Sequence, residues 1–157
     1  FRDLVYRARY GISAVAAIAH NVIVTLGIVA AVDHFGLLTA KVDLAMVAAF
    51  LTIIGYSVND TIVVFDRIRE NLRATPEAPL RGLIDLSVSQ TLGRTLLTGG
   101  TTIFSTAVLV ILGAESTRGF CFAMCVGVII GTYSSIYIAA PLLLLWEKKA
   151  PAPGGAP

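Results

Sequence analysis

Charge is what this sequence has least of. Asp, Glu, Lys and Arg make up 14% of its 157 residues, against roughly a quarter in an ordinary soluble domain. Set beside 56% hydrophobic residues, that deficit places the chain among membrane proteins. The formal net charge of +2 is small and spread out, and no Lys/Arg block is interleaved with aromatics, which excludes nucleic acid as a partner. Cysteine is scarce as well. Cys121 and Cys125 lie inside an apolar run, without CxxC spacing or a neighbouring His, and read as small buried residues rather than metal ligands or a disulfide. HExxH, a phosphate-binding Gly loop and a serine with a base at suitable spacing are all absent, and GIVAAVDHFG is not GxGxxG. Also missing is the barrel signature, alternating polar and apolar strands of about ten residues. The chain starts FRDLVYRAR, with no initiating Met and no signal-peptide pattern, and is read as a piece of something longer.

Long apolar runs are what it does have. A helix crossing a ~30 Å hydrocarbon core needs about 20 mostly apolar residues. Four segments qualify: 11–31, 44–65, 95–114 and 119–146. The expected fold is all-α, a polytopic membrane bundle of four transmembrane helices within a domain over 1–149. The tail 150–157, APAPGGAP, is expected to be disordered.

Cytoplasmic loops are enriched in Lys and Arg. Arg2, Arg7 and Arg9 precede the first run; Arg67, Arg69, Arg73, Arg81 and Arg94 separate the second and third; Lys148 and Lys149 follow the fourth; only Lys41 and Arg118 fall on the other side. Both ends are therefore expected on the cytoplasmic side, with Trp146 as an interfacial anchor. Segment 66–94 is expected as a cytoplasmic loop, broken by Pro76 and Pro79. The mixed apolar face of Leu80, Leu83, Ile84, Leu86, Val88 and Leu92 suggests a short amphipathic helix, either on the membrane surface or packed under the bundle. Asp66, Arg67, Arg69 and Glu70 form either a solvated helix end or a specific cytoplasmic contact.

In the last run, Gly119, Ala123, Gly127, Gly131, Ser135 and Ala139 recur every four residues. Lipid gives helices no hydrophobic reason to associate, so close contact depends on small residues. The stripe marks a tight helix interface. It does not separate a transporter from a scaffold.

A charged side chain at membrane depth costs about 2.5–3.5 kcal/mol on insertion scales and usually faces a cavity or a partner. Asp60 is the clear case. It lies about one and a half turns, or roughly 8 Å, inside the cytoplasmic end of the second run, beside Tyr56, Ser57, Asn59 and Thr61. A carboxyl taken out of water favours its neutral form, whereas a nearby cation favours the charged one. An acid held between those influences can take up and release a proton, so Asp60 is a candidate proton carrier. Arg94, at the mouth of the third run, is its candidate partner, as a static ion pair or as a counter-charge released on protonation. His20 and Asn21, at the middle of the first run with Thr25 one turn on, are hydrogen-bonded packing groups or relay members. Thr98, Thr101, Thr102, Ser105 and Thr106 can back-bond to their own helix or line a polar path. An intramembrane enzyme would need paired catalytic groups, and Asp60 has no second acid at matching depth, so no enzymatic activity is expected.

GYSVNDTIVVFDRIRENLR, residues 55–73, closely resembles the signature of the SecF family of the SecD/SecF protein-export complex. AHNVIVTLGI at 19–28, SQTLGRTLLT at 89–98, and RGF followed by GVIIGTYSSIYIAAPLLL within 118–144 match in the same order. The resemblance implies an RND-like half, with the first two of six spans and a large extracytoplasmic domain missing here. It further implies a proton-driven role in late protein export across the bacterial or archaeal cytoplasmic membrane, with SecD, the SecYEG channel, YajC and exported polypeptides as partners, and no cofactor beyond protons as coupling ion. In the family the groups tied to proton conduction match Asp60 and Arg94; Asn59 and His20 are added as relay candidates. The family often has Asp where this chain has Asn21, a departure that removes an ionisable group from the first span. The reading in another class is a non-transporting assembly subunit.

Overall fold

The computed structural model describes residues 2–38 and 42–147. Lys41, Lys148, Lys149 and the tail 150–157 lie outside the described residues, as do the side chains of 2–7, 9, 146 and 147, so the expectations for Arg2, Arg7, Arg9, Trp146 and the tail fall there. Among the described residues the chain is helical and without strands. In order come α1 (Arg2–His34), α2 (Leu44–Ala74), α3 (Leu80–Leu112), α4 (Glu115–Ser134), a π-helical turn (Ser135–Ala139) and α5 (Ala140–Glu147). Four stretches are long and apolar enough to cross a membrane: Tyr10–His34, Leu44–Ala74, Leu80–Leu112 and Glu115–Leu145. The fourth is α4, the π turn and α5 in succession. This is the all-α, four-span bundle that the apolar runs imply.

The breaks have local causes. α1 stops in a Schellman motif: Gly36 adopts φ 68°, its N–H donates to Asp33 O, and Leu37 N–H donates to Val32 O. Only glycine takes that left-handed position without strain. α2 starts at Asp43, whose Oδ1 accepts from Met46 N–H at 2.8 Å and so satisfies one of the free amides of the first turn. The π turn precedes Pro141, which has no N–H to give and whose ring crowds the carbonyl one turn back. A wider turn at that point takes up the mismatch.

Segment 66–94 differs from its expectation as a loop with a separate short helix. α2 runs on to Ala74, and residues 80–94 are the first half of α3, continuous with the span. The strong breakers are confined to 75–79. Beyond them Gly82 and Gly93 each weaken a helix by only about 1 kcal/mol, and packing offsets that. Ile84 is buried in a cluster with Tyr10, Phe65 and Ile68. Asn71 Nδ2 donates to Ser87 Oγ at 2.7 Å and Arg67 Nε to Gln90 Oε1 at 2.7 Å, which ties the end of α2 to the start of α3.

α4 is the central helix, packed against α1, α2 and α3. Its glycines let it come close. The Ile53 side chain occupies the space where a Cβ on Gly127 would stand, and a Cβ on Gly131 would lie 3.5 Å from Ser57 Cβ. Two apolar clusters result. One gathers Val29, Met46, Ala49, Ile53, Ala123 and Met124; the other gathers Tyr10, Ala17, Val64, Phe65, Ile68, Ile84, Ala139, Ala140 and Leu143. By position along each helix, a buried polar layer separates them.

Candidate functional site: a carboxyl between two hydroxyls

Asp60 stands in that layer, 8% exposed. Its Oδ1 accepts from Thr95 Oγ1 of α3 at 2.7 Å, and its Oδ2 accepts from Ser135 Oγ of the π turn at 2.5 Å. Three elements meet on one carboxyl because each presents a small or polar stripe. α2 turns Ile53, Ser57, Asp60, Thr61, Val64 and Ile68 inward; α3 turns Ser87, Thr91, Thr95 and Gly99 inward. Ser87 and Thr91 donate their hydroxyls to carbonyls of their own helix, Leu83 O and Ser87 O. Thr95, next in the same row, donates to Asp60 instead.

The layer extends sideways. Asn21, 1% exposed, donates through Nδ2 to Ser57 Oγ at 2.6 Å, and His20 Nδ1 lies 3.4 Å from Asn21 Oδ1. The buried hydroxyls of Thr61 and Ser134, each adjacent in sequence to a member of the site, have no hydrogen-bond partner. Among the described residues no group of His, Cys, Asp or Glu has the makings of a metal site.

The expected site residues divide into two sets. Asp60 and the stripe residues Gly119, Ala123, Gly127, Gly131, Ser135 and Ala139 are all buried. The stripe is spent on contacts within this chain. Arg94 and Asn59 are exposed, and His20 is half-buried and reaches Asn21 rather than Asp60. The ion pair among the described residues is Arg67–Glu70; Arg94 makes none with Asp60. Successive helix residues point about 100° apart, so the register that turns Thr95 toward Asp60 turns Arg94 away, at nearly the same depth.

The outer surface of α2 and α3 is mixed: Thr52, Asn59, Arg94, Thr98, Thr101 and Ser105 are exposed beside Leu51, Ile62, Leu96 and Leu97, and Thr102 Oγ1 donates to Tyr56 OH at 3.3 Å across the two helices. The exposed hydroxyls are satisfied by their own helices, as Thr98 Oγ1 donates to Arg94 O and Ser105 Oγ to Thr101 O. The Arg94 guanidinium makes no ion pair among the described residues.

Two partners of Asp60 escape the sequence reading. Thr95 is hidden among neighbouring hydroxyls, although the four-residue row Ser87, Thr91, Thr95, Gly99 distinguishes it. Ser135 is visible as a packing residue, and the signal of a further role is that it is the one hydroxyl in a row of Gly and Ala.

The chain matches the family described as protein export membrane protein SecD/SecF, C-terminal, over residues 3–149. It is 44% identical to the protein translocase subunit SecF of Rhodothermus marinus, covering 92% of this chain and 47% of that protein. It is 48% identical to that of Vibrio alginolyticus, covering 87% and 41%. The chain thus spans less than half the length of these relatives. Its structure is similar to the crystal structure of SecDF, a translocon-associated membrane protein, from Thermus, with TM-score 0.80 and 39% identity over 90% of this chain and 19% of that one. SecDF in a super-membrane-facing form gives TM-score 0.77 and 40% identity over 89% and 18%. A family match across nearly the whole described bundle, with helices superposing on a solved SecDF, means that this chain belongs to the SecD/SecF family of protein export membrane proteins.

Proposed function

We propose that this chain is the C-terminal membrane part of a SecF subunit that couples the proton-motive force to late steps of protein export, with Asp60 as the proton-carrying group. The observation that carries this reading is a buried carboxyl within a membrane-spanning helix whose hydrogen-bond partners among the described residues are two hydroxyls. A group so placed has no permanent counter-charge fixing it in one state. Proton binding then shifts the bundle between states to the extent that the states bind the proton differently.

Arg94 takes the second role. An arginine exposed at membrane depth does not face lipid cheaply, so the face of α3 that bears Arg94 is the surface for another membrane subunit. SecD is that subunit, as the joint name of the family suggests. Arg94 then acts across the interface, and its approach to the Asp60 helix differs between states of the cycle. SecYEG, YajC and the exported polypeptide are the further partners, and the location is the bacterial or archaeal cytoplasmic membrane with both ends of this stretch on the cytoplasmic side, as the arginine distribution favours.

Asp60→Asn in the protein assembled with SecD tests the reading. Asn keeps the shape and can accept from Thr95 and donate to Ser135, so the bundle stays folded while proton-driven export into vesicles is lost. Unchanged export in a folded variant would leave the scaffold reading in its place.

A further inference from the structure

Ser135 Oγ lies 2.5 Å from Asp60 Oδ2 and also 2.9 Å from the carbonyl oxygen of Thr132. A serine hydroxyl has one proton and two accepting lone pairs, so it donates to one of these oxygens at a time. When Asp60 is charged, the carboxylate is the stronger acceptor and takes the Ser135 proton in its hydrogen bond. When Asp60 is protonated at Oδ2, that oxygen becomes a donor. The only arrangement that keeps every group paired has Asp60 donating to Ser135 Oγ and Ser135 donating to Thr132 O.

We propose that Ser135 is a reversing hydrogen-bond partner for Asp60, a donor to the charged carboxyl and an acceptor from the neutral one, with the Thr132 carbonyl holding the serine proton in the second state. The inference rests on the reading of Asp60 as the proton carrier. The balance is simple: one O–H bond forms at Oδ2 with a proton from solvent, the serine keeps its own proton, and only its rotor turns. Thr95 serves the other oxygen in both states, since Oδ1 stays an acceptor throughout.

Serine and threonine hydroxyls on helices commonly donate to a carbonyl three or four residues back, as Thr91, Thr98 and Ser105 do here. Ser135 retains that option through Thr132 while also facing Asp60 across the bundle. Ser134, equally buried at 0% exposure, has neither partner. It is a matched control one residue away. Ser135 is a positioning residue: it sets which hydrogen bonds the carrier makes in each state.

Difference infrared spectra between low and high pH, on the protein assembled with SecD in lipid vesicles, test this. The carboxyl C=O band is assigned by its loss in Asp60→Asn. Ser135→Ala removes the acceptor for the acid proton and is expected to move the band to higher frequency; Ser134→Ala is expected to leave it in place. An Asp60 band that Ser135→Ala does not move, or that both alanines move alike, overturns the role of Ser135 while the proton-carrier reading stands. A spectrum that Asp60→Asn does not change overturns both.

Discussion

Thr95 and Arg94 are neighbours on α3 that meet opposite surroundings, and the contrast separates two kinds of polarity in one membrane bundle. Thr95 faces inward and completes a site closed within the chain: carboxylate, two hydroxyls, and apolar clusters on either side. Arg94 faces outward on α3, beside both polar and apolar exposed groups, with no ion pair among the described residues. The inner carboxyl finds its hydrogen-bond partners within the bundle, whereas on the proposed reading the outer arginine meets its partner on another subunit. In the function proposed above, the first holds the proton and the second responds to it across an interface.

The largest effect that sharpens this contrast is expected from Arg94→Gln. It should leave thermal unfolding of this bundle unchanged, because the guanidinium supports nothing inside it, yet abolish proton-driven export in the SecD-assembled protein. Loss of folding instead would place Arg94 inside the structural core and erase the distinction. Gly127→Ala comes next. Its new Cβ meets the Ile53 side chain, and overpacking of this kind costs about 1–3 kcal/mol, seen as a lower unfolding temperature in detergent. Thr95→Val is the smallest, at about 1 kcal/mol, the scale of one interhelical hydrogen bond in a membrane. Unfolding measurements that rank Thr95→Val above Gly127→Ala would mean that the polar layer, not the glycine contacts, holds the bundle.

Much of the fold is legible in the sequence because the apolar runs are long and Gly36, Asp43, Pro76 and Pro79 punctuate them. The stretch 80–94 is legible as an amphipathic helix that either lies on the surface or packs under the bundle, but its continuity with the span is not; the packing of Ile84 and the Asn71–Ser87 bond go with one unbroken helix. Asp60 stands out by cost alone. Its partners do not, because choosing Thr95 over Arg94 needs the rotational register of α3, and register is set by the fit of Gly99 and Thr95 against α4 and α2. Adjacent positions on one helix then acquire separate roles that no spacing rule distinguishes. Ser135 is harder still: in a four-residue stripe of Gly and Ala it reads as a packing residue, and only its place opposite Asp60 shows the hydrogen bond.

The account turns on whether Asp60 changes protonation. The most direct measurement is the pH titration of its carboxyl infrared band in the SecD-assembled protein in lipid vesicles, compared with Asp60→Asn. The account predicts a protonated-carboxyl band that grows as pH falls, reverses as pH rises, and is missing in the Asn variant. A spectrum without any Asp60 band across the whole pH range in which the complex stays folded would contradict it.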